Sequence, residues 1–253
     1  MSKEYFRDHG NEPFDAKNRR HIKALSEDSE LDKLTREWVV RAWRHQYAHH
    51  FRWLGRPIMQ VPQDIIAMQE IIWKVKPEVI IETGVARGGT LIFYASMLAL
   101  IGNDGETIGI DIALRKHNRD AIKKHLLADR IKVIQGSSID QRVAKRVHDY
   151  VGGRKTMVIL DSNHTHAHVL EEMNLYHDMV QRGSYLLVSD TFLELFPPGY
   201  FQNRPWDKGN NPATAVQEFL KTNTRFRNDT EIANKLLITS SPTGYLKCIR
   251  NHK

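Results

Sequence analysis

The feature that most constrains the fold is an alternation that begins near residue 78. Short apolar runs end in an acid, a serine or a glycine, and each is followed by a stretch of helical period. The runs are "EVIIETG", "ETIGIDI", "RIKVIQGSS", "KTMVILDSN" and "GSYLLVSDT". They are continuously apolar rather than alternating, the mark of strands buried on both faces. Strands alternating with helices imply an α/β chain with a parallel sheet, right-handed crossovers and helices on both faces. Two later runs, near "KLLITSS" and "GYLKCIR", are joined by the turn "SPTG" and predict an antiparallel edge hairpin.

Ahead of this alternation the chain reads differently. Residues 1–28 are polar and predict a loosely attached tail. From Ser29, a candidate N-cap, Leu31, Leu34, Trp38 and Ala42 fall on one helical stripe. "PQDIIAMQEIIWKVKP" predicts a second helix, capped near Gln63 or Asp64 and ended before Pro77. The expected organisation is a tail and helical extension over 1–76, then one compact unit over 77–253.

Composition narrows the function classes. No apolar stretch approaches the roughly 20 residues that span a bilayer. The charged start, "MSKEYFRDHGNEPFDAKNRR", has no apolar signal core. A single cysteine, Cys248, excludes an internal disulfide and a cysteine metal cage. A cytoplasmic protein is expected. The net charge of +7 suggests anionic partners only weakly, because basic residues are spread over several segments. They read as solvated helix faces, and no nucleic-acid partner is expected.

In open parallel sheets ligands bind outside the carboxyl ends of the strands, at the switch point of the topology. Those ends are Glu82 to Gly84, Asp111, Gly136 to Ser138, Asp161 to His164, and Ser189 to Thr191. The first reads "ETGVARGGT", which is neither GxGxxG nor a P-loop, since no lysine follows the glycines. Gly84 permits a tight turn, and Gly88 and Gly89 let a ligand approach the backbone. A carboxylate at Glu82 would repel pyrophosphate but suits an ammonium or sulfonium. Asp111 stands where a carboxylate grips ribose hydroxyls. Together they describe a site for S-adenosylmethionine.

"LDSNHTHAHV" places His164, His166 and His168 after Asp161. A zinc cage of the three histidines is one reading, but they follow the strand end in a loop that leads into a helix. His164 as a base beside Asp161, with the other two structural, is the second. His45 and His49, four apart, read as an exposed helix face or a metal pair. The segment "FLELFPPGYFQNRPWDKGNNPATAV" is too rich in aromatics to be a passive connector. Tyr200, Phe201 and Trp206 are expected to stack on a sugar, to cover the cofactor, or to meet a neighbouring subunit. Asn211 and Pro212 read as N-cap and first turn of a helix.

These motifs, with "RPWDKGNNPATAVQEFL" and "KLLITSSPTGYLKCI", resemble the cephalosporin-hydroxylase and rhamnosyl O-methyltransferase family over about residues 35–250. The resemblance implies a Rossmann-like class I methyltransferase fold with a mostly parallel seven-stranded sheet, and oligomerisation into homo-oligomers. It implies methyl transfer from S-adenosylmethionine to a hydroxyl of a small-molecule or glycan acceptor, assisted by Mg²⁺. It puts Glu82, Gly84, Gly88 and Asp111 on the cofactor and Ser137 or Ser138 beside the adenine. Asp161 and Asp190 become metal ligands, and His164 the general base. The family generally ends the fifth strand in Glu-Asp, whereas this chain has Ser189-Asp190, which weakens the ligand set. An RNA methyltransferase and a non-catalytic S-adenosylmethionine-binding helper are the competing readings. A dehydrogenase is opposed by the missing GxGxxG and by Glu82.

Overall fold

A computed structural model describes residues 13–251. Two helices open it, α1 (Phe14–Glu27) and α2 (Ser29–Trp43). A short hairpin, β1 (Phe51–Trp53) and β2 (Arg56–Ile58), and helix α3 (Pro62–Val75) lead to the first long strand. The alternating part comprises β3 (Val79–Thr83), α4 (Gly89–Ile101), β4 (Glu106–Asp111), α5 (Lys116–Lys123), β5 (Ile131–Gln135) and α6 (Gln141–Val151). It continues through β6 (Thr156–Leu160), α7 (His166–Tyr176) and β7 (Tyr185–Val188). The chain closes with α8 (Pro212–Thr222), β8 (Phe226–Asn228), α9 (Thr230–Leu236) and β9 (Tyr245–Cys248).

The main sheet has seven strands in the order β5-β4-β3-β6-β7-β9-β8. Strands β3 to β7 run parallel, and β9 is antiparallel to both β7 and β8. The chain moves outward from β3 to β5 and then returns to the other side of β3, so the switch point lies between β3 and β6. Register brings the strand ends level: Thr83 faces Ile110 on one side and Leu160 on the other, and Leu160 faces Val188. Gly84, Asp111, Asp161 and Ser189 therefore emerge along one edge.

The apolar runs explain the core. All five residues of β3 and of β6 are buried, as continuous apolar strands between two helical layers must be. Helix α4 is apolar around its whole circumference, and ten of its residues are buried. Helix α3 shares a core with the sheet: Ala67, Met68, Ile71 and Ile72 pack with Ile80, Phe93 and Ile159. The hairpin also abuts α4, since a Cβ on Gly89 would lie 2.1 Å from the Pro57 carbonyl oxygen.

Several local expectations are corrected. The cap of α2 is Asp28, whose Oδ1 accepts from Leu31 N at 2.9 Å, one residue before Ser29. Its buried residue is Val39, while Leu34 and Trp38 are exposed; Val39 meets Phe192, Leu193 and Phe196. Helix α3 starts at Pro62 with no side-chain cap, because Asp64 turns inward. The antiparallel pair at the sheet edge uses β8 and β9, with α9 between them, rather than a strand over "KLLITSS". That run bends so that Thr239 Oγ1, Ser240 N and Ser240 Oγ all donate to Asp64, at 2.5, 2.8 and 2.7 Å. A buried carboxylate demanding donors outweighs the strand propensity of an apolar run. Asn211 does cap α8, in a capping box with Thr214. Residues 1–12 of the expected tail lie outside the described residues.

Candidate active site

The site is built around a close approach. Gly84 has φ +86°, and a Cβ there would lie 2.1 Å from the Asp161 carbonyl oxygen. Only glycine lets the β3 and β6 ends converge this tightly. Asp161 N donates to Thr83 O at 3.0 Å, which fixes the strand-end acid. From Gly84 the loop runs to Gly88 (φ +77°), where a Cβ would strike Ile122, and then enters α4 with its free amide groups forward.

Two cavities flank this point and share Gly84 and Ser162. The smaller, about 180 Å³, is lined by Asp111, Ile112, Ser137, Ser138, Asn163 and His168 among others. Asp111 accepts from Val85 N (3.0 Å), Ala86 N (3.2 Å) and Ala113 N (2.8 Å), so its carboxylate organises the glycine-rich loop as well as lining the cavity. Ser138 Oγ and Ser162 Oγ both lie within hydrogen-bond distance of His168 Nε2, at 3.2 and 3.1 Å. Ser162 also donates to the buried Glu172 at 2.6 Å.

The larger cavity, about 390 Å³, is lined by the loop from Gly84 to Thr90 and by Asp161, His164, Asp190 and Trp206. Asp161, His164 and Asp190 offer ligand atoms within 4.8 Å of one another. His164 Nε2 lies 3.4 Å from Asp190 Oδ2, and the Trp206 ring meets the imidazole edge-on at 4.7 Å between centroids. Asp190 sits in the left-handed region, φ 57°, which Asp tolerates better than most residues. Gln60 Nε2 donates to Asp161 Oδ2 at 3.3 Å. Burial, and then the charges of Asp190, Glu82 and Glu172, hold the Asp161 carboxyl well above the usual carboxylate range. Burial also raises Asp190, which the nearby His164 and His49 partly offset. Two mutually repelling, poorly hydrogen-bonded carboxylates are what a divalent cation would relieve, so the donor set fits a metal.

The three histidines of the loop diverge. His166 Nδ1 pairs with Thr214 Oγ1 at 2.8 Å, and its Nε2 lies 3.1 Å from Glu218. His168 belongs to the serine network, and only His164 faces the acids, so no zinc cage forms from them. Ser189 is buried and lines a separate small cavity with Asp64 and Tyr94, away from the acid cluster. Glu82 departs from its expected place: it lines neither cavity and is fully buried. Its Oε2 accepts from Thr90 Oγ1 at 2.7 Å, while Oε1 has no partner. Burial, opposed by the hydrogen bond from Thr90, pushes it up to about 8. Its side chain points to α4, so any influence on a ligand passes through Thr90, which does line the larger cavity.

Of the aromatics, Phe201 and Trp206 line the cavity. Tyr200 stacks on Phe196 and Phe201 at 4.7 and 4.9 Å instead. Gln60, Arg87 and Arg204 line the cavity without a role in the sequence reading, and so does His49, whose sequence context gives only an exposed helix face or half of a metal pair. His49 stands beyond the end of α2 rather than on one face with His45, and it feels the Asp190 charge. Arg87 alone carried a signal, its position inside the glycine-rich loop.

The strand order, with ligand-sized cavities at the switch point, is that of the class I methyltransferase fold. The fold is shared with the solved structure of apo CmcI (TM-score 0.56, 20% identity, 80% of this chain and 77% of that one). A structure of CmcI with Mg and SAM matches with TM-score 0.56 at 19% identity over 80% and 78% of the two chains. Cofactor-bound Rv0187 from MTB matches with TM-score 0.51 at 13% identity over 85% and 90%. Residues 45–249 match the family described as Rhamnosyl O-methyltransferase/CmcI, and the chain belongs to that family and is an O-methyltransferase. The rhamnosyl O-methyltransferase of Mycobacterium tuberculosis (strain ATCC 25618 / H37Rv) is 29% identical over 195 residues, 74% of this chain and 73% of the relative. That of Mycobacterium leprae (strain TN) is 29% identical over 149 residues, 57% and 62% of the two.

Proposed function

We propose that this enzyme transfers the methyl group of S-adenosylmethionine to a sugar hydroxyl, with Mg²⁺ assisting. The observation that carries the reading is the meeting of Asp161, His164 and Asp190 in a cavity that adjoins, through Gly84 and Ser162, a second cavity of polar lining. In this reading the adenosine occupies the smaller cavity. Asp111 has about four lone-pair positions, three of them used by loop amides, and turns the remainder to the ribose. Ser137, Ser138 and His168 line the adenine end, and the amides after Gly88 receive the methionine carboxylate. The sulfonium then points into the larger cavity.

There the acceptor hydroxyl meets His164. The imidazole takes the proton as the oxygen attacks the methyl carbon; the carbon–sulfur bond breaks, and S-adenosylhomocysteine leaves with the electron pair on sulfur. Asp190, 3.4 Å away, stabilises the imidazolium that forms. Asp161 and Asp190 would hold Mg²⁺, which when bound lowers the energy of the charge developing on the acceptor oxygen. A hard ion prefers the two carboxylates and leaves the His164 nitrogen free for the proton. Trp206 and Phe201 offer ring faces and edges to a sugar, and relatives named rhamnosyl O-methyltransferases support that acceptor class.

Calorimetric titration with S-adenosylmethionine, with and without Mg²⁺, tests the reading. We expect saturable binding, with a Mg²⁺ effect that Asp161→Asn abolishes. Failure to bind under either condition removes the cofactor from the proposal.

A further inference from the structure

Three arginines of the outer surface are neutralised: Arg36 by Asp32 at 2.8 Å, Arg142 by Asp140 at 2.8 Å, and Arg154 by Glu106 at 2.7 Å. Two at the larger cavity are not. Arg87 and Arg204 line it, and neither has a carboxylate within ion-pair distance among the described residues. Behind Arg87 stands Arg56, whose guanidinium donates to the Arg87 carbonyl (Nε, 3.2 Å) and to Asn118 Oδ1 (3.1 Å). Burial, and then the charges of Arg52 and Arg87, push Arg56 below its ordinary value. Arg56 and Arg87, permanent positive charges that repel one another, with only neutral acceptors for the Arg56 guanidinium, make an anion site in want of an anion.

Its position gives the anion a role. The Arg204 guanidinium lies over Trp206, 5.2 Å from the ring centroid, and Trp206 meets His164 at 4.7 Å. The cavity thus carries both acids, Asp161 and Asp190, and cations, Arg87 and Arg204. An acceptor carrying a negative group would be turned so that this group meets the arginines and a hydroxyl meets His164. A neutral glycan makes no use of such a field. The cofactor's own carboxylate does not account for it, because the α4 amides serve that group and Arg204 comes from the segment between β7 and α8.

Building on the methyltransferase reading, we propose that the acceptor is an anionic sugar, a phosphate ester or a uronic acid, whose oxyanion is bound by Arg204 and Arg87 at the rim of the larger cavity. The test titrates full-length protein loaded with S-adenosylhomocysteine, in EDTA so that no metal can bridge an anion. Rhamnose 1-phosphate is compared with rhamnose, and glucuronic acid with glucose. The anionic member of at least one pair should bind on the order of tenfold more tightly than its neutral partner. Arg204→Gln should remove that preference while leaving S-adenosylhomocysteine affinity unchanged. Which pair responds tells phosphate from carboxylate. Loading that succeeds with no anionic preference in either pair, or a preference that survives Arg204→Gln, overturns this inference and leaves the methyltransferase reading standing. Loading that fails takes both away.

Discussion

Two buried acid sites in this molecule are built on opposite principles. Asp64, in the first turn of α3, is only 7% exposed. It accepts from Thr239, from Ser240 twice, and from Tyr245 OH at 2.8 Å. Burial raises its pKa, but every hydrogen bond pulls it back. Asp161 receives one long bond from Gln60, and its other influences, from Asp190, Glu82 and Glu172, all raise it further. The first carboxylate holds the C-terminal segment against α3. The second is left electrostatically unsatisfied at the mouth of a cavity. Saturation marks a structural acid, and deliberate want marks one that waits for a ligand.

The contrast is sharpest under substitution. Asp161→Asn should lower turnover by on the order of a thousandfold, the usual scale for losing a metal ligand or charge-positioning group at a reacting centre. The same change should leave the melting temperature of the metal-free protein unaltered or higher, since it removes a repelled buried charge. A large drop in stability would place Asp161 with Asp64. The reverse is expected of Asp64→Ala: about 3 kcal/mol less stability in urea melts, because the hydroxyls and the Ser240 amide lose their acceptor. Activity per folded molecule should change little. A folded but inactive Asp64→Ala enzyme would break the comparison from that side.

How much of this was legible in the sequence follows from the range over which each signal acts. The sheet was legible because continuous apolar runs and their polar ends are local, and one topological rule then sets Gly84, Asp111, Asp161 and Asp190 along one edge. The capping of α8 by Asn211 was legible for the same reason. What escaped depends on contacts distant in sequence. Asp64 reads as a cap until its partners, some 175 residues on, are known. His49 and Gln60 reach the cavity only because the β1–β2 hairpin folds against α4. Glu82 was read as facing the ligand, but a strand buried on both faces gives no clue to which side a given residue takes. Tyr200 and Phe201 are adjacent aromatics with equal claims, and only the cluster with Phe196 divides them.

Glu82 falls between the two acid sites and supplies the smallest and most diagnostic effect. One oxygen is held by Thr90, as in a structural acid, and the other is bare, as in a waiting one. Its folded value of about 8 lies above the model-peptide value of 4.5, chiefly through burial. A group raised in this way favours the folded state when protonated. Its contribution is therefore fully present below about pH 4.5 and is lost as pH rises through about 8. Asp64, Asp161 and Asp190 are raised too, so the wild-type profile alone cannot isolate Glu82. The difference between wild type and Glu82→Gln can. That difference should shift by about 2 kcal/mol in favour of the variant between pH 5 and pH 8.5, once relaxation around the buried group is allowed for. Urea melts at the two pH values measure it. A difference that stays flat would mean that Glu82 is solvated on the folded protein, and would return it to the cavity and to direct contact with a cationic ligand.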